Sequence, residues 1–311
     1  MSRERNSRRN RSASEKASQQ NDLSNRRASG RTSHQRDLRN RRGRRRKRGL
    51  GLRIFLNLLM LVALGVLIFS VYQIVMTLMP YQQGRQLHQQ IRETYTHIEL
   101  VDSADVNGEG TPGEVRERFI VDFDALLETN RDTVAWIRFI EPEIISYPVV
   151  RSHDNFEYLH RAFDGSYSQL GSIFMDMGNS IDFSDRHTII YGHNMAVGGE
   201  MFSQLVEFQE IGFTRENPYF FIYTPDGMAR KYRIFMAAVV SAVDNPIYRI
   251  EFLDDADFLE YLELSRRASL YTIEGDDLNV DARIVTLSTC TNVIATDRFI
   301  IQGVLVEEWI Q

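Results

Sequence analysis

A mainly β domain, a barrel or a sandwich, carried outside a membrane by a single N-terminal helix is the architecture that these 311 residues predict. Three observations lead to it. Ile54–Met79 is an apolar run of 26 residues without a charge. A strongly basic segment precedes that run. Beyond residue 116, short stretches rich in β-branched and aromatic residues follow one another with few helical patterns between them.

Residues 1–53 hold 19 Lys and Arg against four acidic residues (Glu4, Glu15, Asp22, Asp37) and almost no aliphatics as far as residue 49. Such a segment buries no core and is expected to be a disordered cytoplasmic tail. Of 37 basic and 42 acidic residues in all, 18 and 38 then remain for the rest of the chain. That acidic excess argues against a nucleic-acid partner, whose phosphates attract the opposite charge.

At a rise of about 1.5 Å per residue, the run 54–79 spans roughly 39 Å, enough for a hydrocarbon core of about 30 Å. Arg44–Arg48 and Arg53 flank its N-terminal side and place that side in the cytoplasm. The span is too long, and its leader too long, for a cleaved signal peptide, and Pro80-Tyr81-Gln82-Gln83 offers no small-x-small cleavage site. It is therefore read as a retained single-pass anchor ending at Met79-Pro80, with the rest of the chain outside the cell.

Residues 80–115 read as a helical extension, Tyr81–Glu99, followed by a Gly/Asp/Pro loop. Gly108-x-Gly110-x-x-Gly113 in that loop matches a dinucleotide fingerprint only formally, because no strand precedes it and Pro112 interrupts it. The main domain, 116–311, opens with a short helix at Phe123–Glu128. Strand-like runs follow at Val134–Phe139, Ile144–Val150, Ser172–Asp176, Thr188–His193, Tyr219–Thr224, Lys231–Val243, Arg283–Thr289 and Phe299–Val306. Helical insertions are predicted at Asn155–Phe163, Gly199–Glu207 and Phe252–Arg266. In the last of these Phe252, Ala256, Leu259 and Leu262 keep helical spacing.

Cys290 is the only cysteine, so this exported chain has no internal disulfide. Its thiol closes the run Ile284–Thr289 and is followed by polar Thr291-Asn292, which suits a barrel rim. Tyr191-Gly192-His193-Asn194 closes a second run, and Arg298 opens a third, eight residues after the thiol. Singly, each has a duller reading: a free cysteine is commonly a small buried hydrophobe, and an arginine at a strand start is commonly solvated. Together they supply a nucleophile, an imidazole that titrates near neutrality and a permanent cation.

Thr286-Leu287-Ser288-Thr289-Cys290, with Arg298 after it and Tyr191-Gly192-His193-Asn194-Met195 before it, resembles the active-site pattern of class B sortases. Asn130-x-Asp132-Thr133-Val134-x-Trp136-Ile137, Tyr147-Pro148-Val149-Val150, Asp154-Asn155-x-x-Tyr158-Leu159 and Gly171–Asp176 follow the same family's order, so the resemblance covers about 117–307. It implies a closed eight-stranded sortase-type β-barrel with helical insertions, including a long helix before the cysteine strand. It also implies a cysteine transpeptidase that needs no cofactor or metal. The thiol of Cys290 would attack the carbonyl after a Thr in the C-terminal sorting signal of a secreted protein. An amine of a cell-wall (peptidoglycan) precursor or of a pilin Lys would then take the acyl group.

By the same resemblance His193 serves as the acid and base, and Arg298 stabilises the oxyanion or holds the substrate backbone, with the Thr291 backbone N–H as a further donor. Asn155, Leu159, Ser288 and Thr289 match positions that line the sorting-signal groove. Two departures stand out: Arg151 occupies a position where Gln is expected, and the Cys290–Arg298 connection is short. A cysteine hydrolase without transfer, or a catalytically inactive anchored binding domain, are the other readings. Chain order disfavours a papain-like hydrolase, in which the cysteine usually comes before the histidine.

Overall fold

A computed structural model describes residues 50–79, 81–102, 115–140, 145–195, 199–243, 245–273, 278–291 and 296–311. The basic tail before residue 50 and the Gly108–Gly113 loop lie outside them. The chain divides into two units, Met1–Val75 and Met76–Gln311.

Helix α1 (Leu50–Tyr95) is long and apolar enough to cross a membrane. Its apolar side chains from Leu50 to Met79 are exposed all along it, as in Leu61, Leu67 and Phe69, so they form no protein core. Helical residues continue on both sides of position 80, where the sequence reading ends the span.

In the second unit, β1 (Thr96–Asp102) and β2 (Val115–Val121) pair antiparallel as a two-stranded sheet. The sequence reading carried the helix on to Glu99. Ile98 continues the spacing of Leu87, Ile91 and Tyr95, yet Thr96-His97-Ile98-Glu99-Leu100 also alternates as a strand does. Pairing with β2 decides between the two patterns.

Helix α2 (Phe123–Thr129) is capped by the Asp122 carboxylate, which accepts from Ala125 N–H at 3.0 Å. Eight strands then close a barrel: β3 (Thr133–Arg138), β4 (Ser146–Val150), β5 (Ile173–Met175), β6 (His187–Tyr191), β7 (Tyr219–Tyr223), β8 (Met228–Ser241), β9 (Ile284–Cys290) and β10 (Asp297–Ile310). Around the wall the order is β10-β8-β7-β3-β4-β5-β6-β9, returning to β10. The β4–β5 and β6–β9 pairs are parallel and the other six antiparallel. Closure removes the sheet edges that an open sheet would expose.

One core, with Ala135, Ile137, Val149, Ile190, Phe220, Val285, Leu287 and Phe299, gathers residues from most of these strands. A second core packs helix α4 (Asp255–Ala268) through Phe258, Tyr261 and Leu262 onto Phe235, Ile284, Ile300 and Val304. The remaining helix, α3 (Ile211–Glu216), lies between β6 and β7.

The insertions correct the sequence reading in detail. Asn155–Phe163 holds only the 3-10 turn Glu157–Leu159, because Asp154 caps the N–H groups of Phe156 and Glu157 in an Asx arrangement. The helical insertion expected at Gly199–Glu207 is a 3-10 helix at Ser203–Gln209, since Gly199 (φ 69°) and Met201 (φ 59°) are left-handed. Helix α4 starts at Asp255, not Phe252, because the Asp254 carboxylate caps it by accepting from Asp257 N–H at 2.9 Å. Phe252 packs beside the helix against Phe258, ring centroids 4.8 Å apart.

Beneath α4 sits a buried polar cluster built on His187. Its Nδ1–H donates to the Arg249 carbonyl (2.7 Å) and its Nε2 accepts from the Thr286 hydroxyl (2.6 Å). Gln302 Nε2 donates to Thr286 Oγ1 and to Tyr261 Oη, both at 2.9 Å. A second proton on this imidazole would displace the Thr286 hydroxyl, and burial pushes the pKa of His187 down to about 4 against the opposing pull of the Arg249 carbonyl and of Asp176 and Asp185.

The unfolded chain takes up that proton near pH 6.5, so folding stability is complete above about pH 6.5 and declines as pH falls toward about 4. Denaturant titrations at pH 7.5 and 4.5 should differ by on the order of 3 kcal/mol from this residue. His187→Gln should flatten the slope across that window.

Candidate active site

The site forms at one end of three neighbouring strands, β6, β9 and β10. In β9 every side chain from Ile284 to Thr289 is buried, and only Cys290, at the strand's end, is partly exposed. Alternation along the strand puts Thr286, Ser288 and Cys290 on one face and Val285, Leu287 and Thr289 on the other. The thiol therefore leaves the barrel core, and emerges where the strand stops.

Arg298, the second residue of β10, is the direct cross-strand partner of Cys290. Opposed residues in an antiparallel pair project to the same face, with Cβ atoms about 5 Å apart. Their eight-residue separation in the chain thus becomes adjacency. Strand β6 runs parallel to β9 with Tyr191 opposite Ser288, and Gly192 N–H donates to the Ser288 carbonyl at 3.1 Å. Two residues past that pair, His193 reaches the level of Cys290. Asn194 Nδ2 ties the ends together by donating to the Cys290 carbonyl at 2.7 Å.

Gly192 is required by packing. A Cβ there would lie 2.5 Å from Ile173 Cδ1 and 2.7 Å from the Phe202 ring.

A groove of about 430 Å3 collects the three side chains. Asn155, Leu159, Ser288 and Thr289 also line it. Thr289 faces the core by alternation, so it offers the groove its backbone. The Thr291 N–H was expected to face an oxyanion, but it donates to the Asp297 carbonyl at 3.2 Å, inside the turn between the strands. Thr291 is not part of the groove wall.

His193 Nε2–H donates to the Leu159 carbonyl at 2.8 Å. A carbonyl only accepts, so Nε2 keeps its proton and Nδ1 is the nitrogen that can exchange one. Burial lowers the His193 pKa, as do nearby His160 and Arg298, while the Leu159 bond works against them. The net shift is downward, and the imidazole is neutral at pH 7. The His160 ring stacks on it with centroids 6.2 Å apart.

Phe156, Phe174, Tyr191, Gly192, Ala242 and Tyr248 complete the groove. Tyr191 is within a motif that the sequence reading quotes, but it is assigned no role there. Tyr248 has no local signal at all: it reaches the site from the β8–α4 connection and shares a 2.9 Å hydrogen bond with Ser288 Oγ.

Asn155 is held from behind. Its Nδ2 donates to Asp176 Oδ2 (2.8 Å), which also accepts from Tyr191 Oη (2.9 Å), and its Oδ1 accepts from Met177 N–H (2.8 Å). Arg151, the departure from the family pattern, donates to the Met177 carbonyl at 2.5 Å and so braces this rim without lining the groove.

Comparison with known proteins identifies the family. The sortase-domain family model matches residues 141–306. A sortase B of Listeria monocytogenes is 34% identical over 255 residues, covering 80% of this chain and 95% of that protein.

This chain belongs to the class B sortase family.

The Clostridium perfringens sortase B structure superposes with a TM-score of 0.56 at 31% identity, covering 60% of this chain and all (100%) of that one. A Staphylococcus aureus sortase B–substrate complex gives 0.55 at 28%, covering 60% and 85%. As a class B sortase, the protein is a cysteine transpeptidase. Its eight-stranded barrel is the family's fold, and α4 before the cysteine strand is the long helix that the resemblance implies.

Proposed function

We propose that this sortase cleaves the C-terminal sorting signal of secreted proteins after a Thr and passes the acyl group to an amine of a cell-wall precursor or a pilin Lys. The work takes place on the outer face of the membrane that α1 crosses. The single observation that carries the reading is the meeting of Cys290, His193 and Arg298 in one solvent-reachable groove.

Cys290 passes its thiol proton to His193 Nδ1, and the resulting thiolate adds to the Thr carbonyl carbon. The C–N bond breaks, and the departing amine takes a proton from His193. The incoming amine then attacks the thioester and gives a proton back to His193, and the C–S bond breaks to restore the thiolate. Arg298, beside the sulfur by register, is suited to the negative oxygen of each tetrahedral intermediate. Tyr248 and the Asn155–Asp176 brace shape the walls against which the signal lies.

Mixing the protein with a sorting-signal peptide and a glycyl amine tests the reading. The expected product is the new amide joined at the Thr. Release of the free acid alone, at saturating amine, would make the protein a hydrolase. Sidedness is tested on intact cells, where a membrane-impermeant thiol reagent should reach Cys290.

Arg298→Ala should lower kcat/KM by about 10²–10³-fold, the usual effect of losing one oxyanion donor. Arg298→Lys should recover only part of that, because the planar fork of donors is lost. Steady-state kinetics on the peptide measures both.

A further inference from the structure

The segment that carries His193 is tied back on itself. Phe202 N–H donates to the His193 carbonyl at 3.0 Å, and Asn194 bridges to Met201 as in an antiparallel pair. Ser203 Oγ accepts from Met195 N–H and donates to the Glu200 carbonyl, both at 2.6 Å. Phe202 is fully buried, and its ring leaves no room for a side chain on Gly192. Any shift of Met201–Phe202 is therefore passed to Gly192 and His193.

Met201 is the strained point. It is left-handed at φ 59° without being glycine, a conformation that crowds an L side chain and persists only where the surroundings hold it. One hydroxyl grips it from outside the segment. Tyr147 Oη accepts from Met201 N–H at 3.1 Å and donates to Glu200 Oε2 at 2.8 Å, so it grips two successive residues of the segment.

Tyr147 is itself fixed, buried in β4 and paired with Ile137 of β3. Glu200 is only 17% exposed and meets Arg85 Nε at 3.2 Å. His88 Nδ1 lies 3.9 Å from its other oxygen, and the His88 ring stands edge-on to Tyr147 with centroids 5.2 Å apart. Burial pushes the Glu200 carboxyl up, but His88, Tyr147 and Arg85 outweigh it and hold the group below the ordinary range, hence ionised.

We propose that Tyr147 and Glu200 are positioning residues for the transfer reaction: they clamp the left-handed Met201 turn and thereby set the place of His193 in the groove, with Arg85 and His88 of helix α1 closing the clamp from the far side. Neither touches the groove, so they act through the histidine alone. The inference rests on the function proposed above for His193.

Tyr147→Phe removes one oxygen and leaves the ring packing in place. With a sorting peptide, kcat is expected to fall about 10–100-fold while KM stays within about threefold, because a displaced acid-base group weakens the transition state and not substrate binding. Amide hydrogen exchange is expected to speed up at residues 193–203 and to stay unchanged in the barrel strands. Glu200→Gln keeps an acceptor oxygen for the Tyr147 hydroxyl and should lose less turnover than Tyr147→Phe.

Parental kcat in Tyr147→Phe, a loss confined to KM, or unaltered exchange at 193–203 would each overturn the clamp. If the parent protein turns over no sorting peptide, the functional reading fails. The exchange measurement still decides whether Tyr147 holds the segment.

Discussion

Cys290→Ala is expected to abolish the acyl-enzyme completely. Incubated with a sorting peptide, the parent should gain the mass of the acyl fragment on one residue, and the variant should gain nothing. The fold should tolerate the change, because the side chain sits at the open end of β9 and is partly exposed. Turnover should drop to the uncatalysed background. Cys290→Ser should remain close to it, since a hydroxyl is a far weaker nucleophile than a thiolate at neutral pH. Residual cleavage by the alanine variant, freed of contaminating enzyme, would refute the nucleophile assignment.

His193→Ala should be the next most severe change, lowering turnover by about 10²–10⁴-fold, the range over which a positioned acid-base group contributes. Both halves of the reaction move a proton through this ring, so acylation and aminolysis should slow together. The protonation state gives an independent check. Burial, His160 and Arg298 together keep the imidazole neutral to lower pH than an ordinary histidine.

An NMR titration of the ring should therefore show a midpoint below 6.5, and Arg298→Ala should move that midpoint upward by removing a nearby cation. A midpoint at or above 6.5 would contradict the buried, cation-flanked setting. Equal turnover in His193→Ala and parent would remove the residue from the mechanism.

Much of the barrel was legible because its strands are written in β-branched and aromatic runs. Each of the eight runs in the sequence overlaps one of the strands β3–β10. The errors fall where local and long-range preferences conflict. Residues 96–99 fit a helical and an alternating pattern equally, and only β2, on the far side of residues 103–114, selects the strand. Around Asn155 the spacing suggested a helix, but a single carboxylate, Asp154, bonds the backbone into a turn instead. At the site, Tyr248 stands in no motif and Asp176 stands in one without a role, because nothing near either in the chain hints at Ser288 or Asn155.

The sequence alone was enough to determine which chemical groups exist, in what order, and that they end strands beyond an apolar span. Residue type and short-range periodicity are local properties, written directly in the chain. Cross-strand register was decided only by the tertiary structure: Arg298 opposite Cys290, and Tyr191 opposite Ser288 so that His193 arrives beside the thiol. Register follows from closing eight strands around one shared core, since a slip of one residue would turn every inward side chain outward. The same closure turned the Thr291 amide into a turn donor and recruited Tyr147 to hold Met201, neither of which is encoded within a few residues of where it acts.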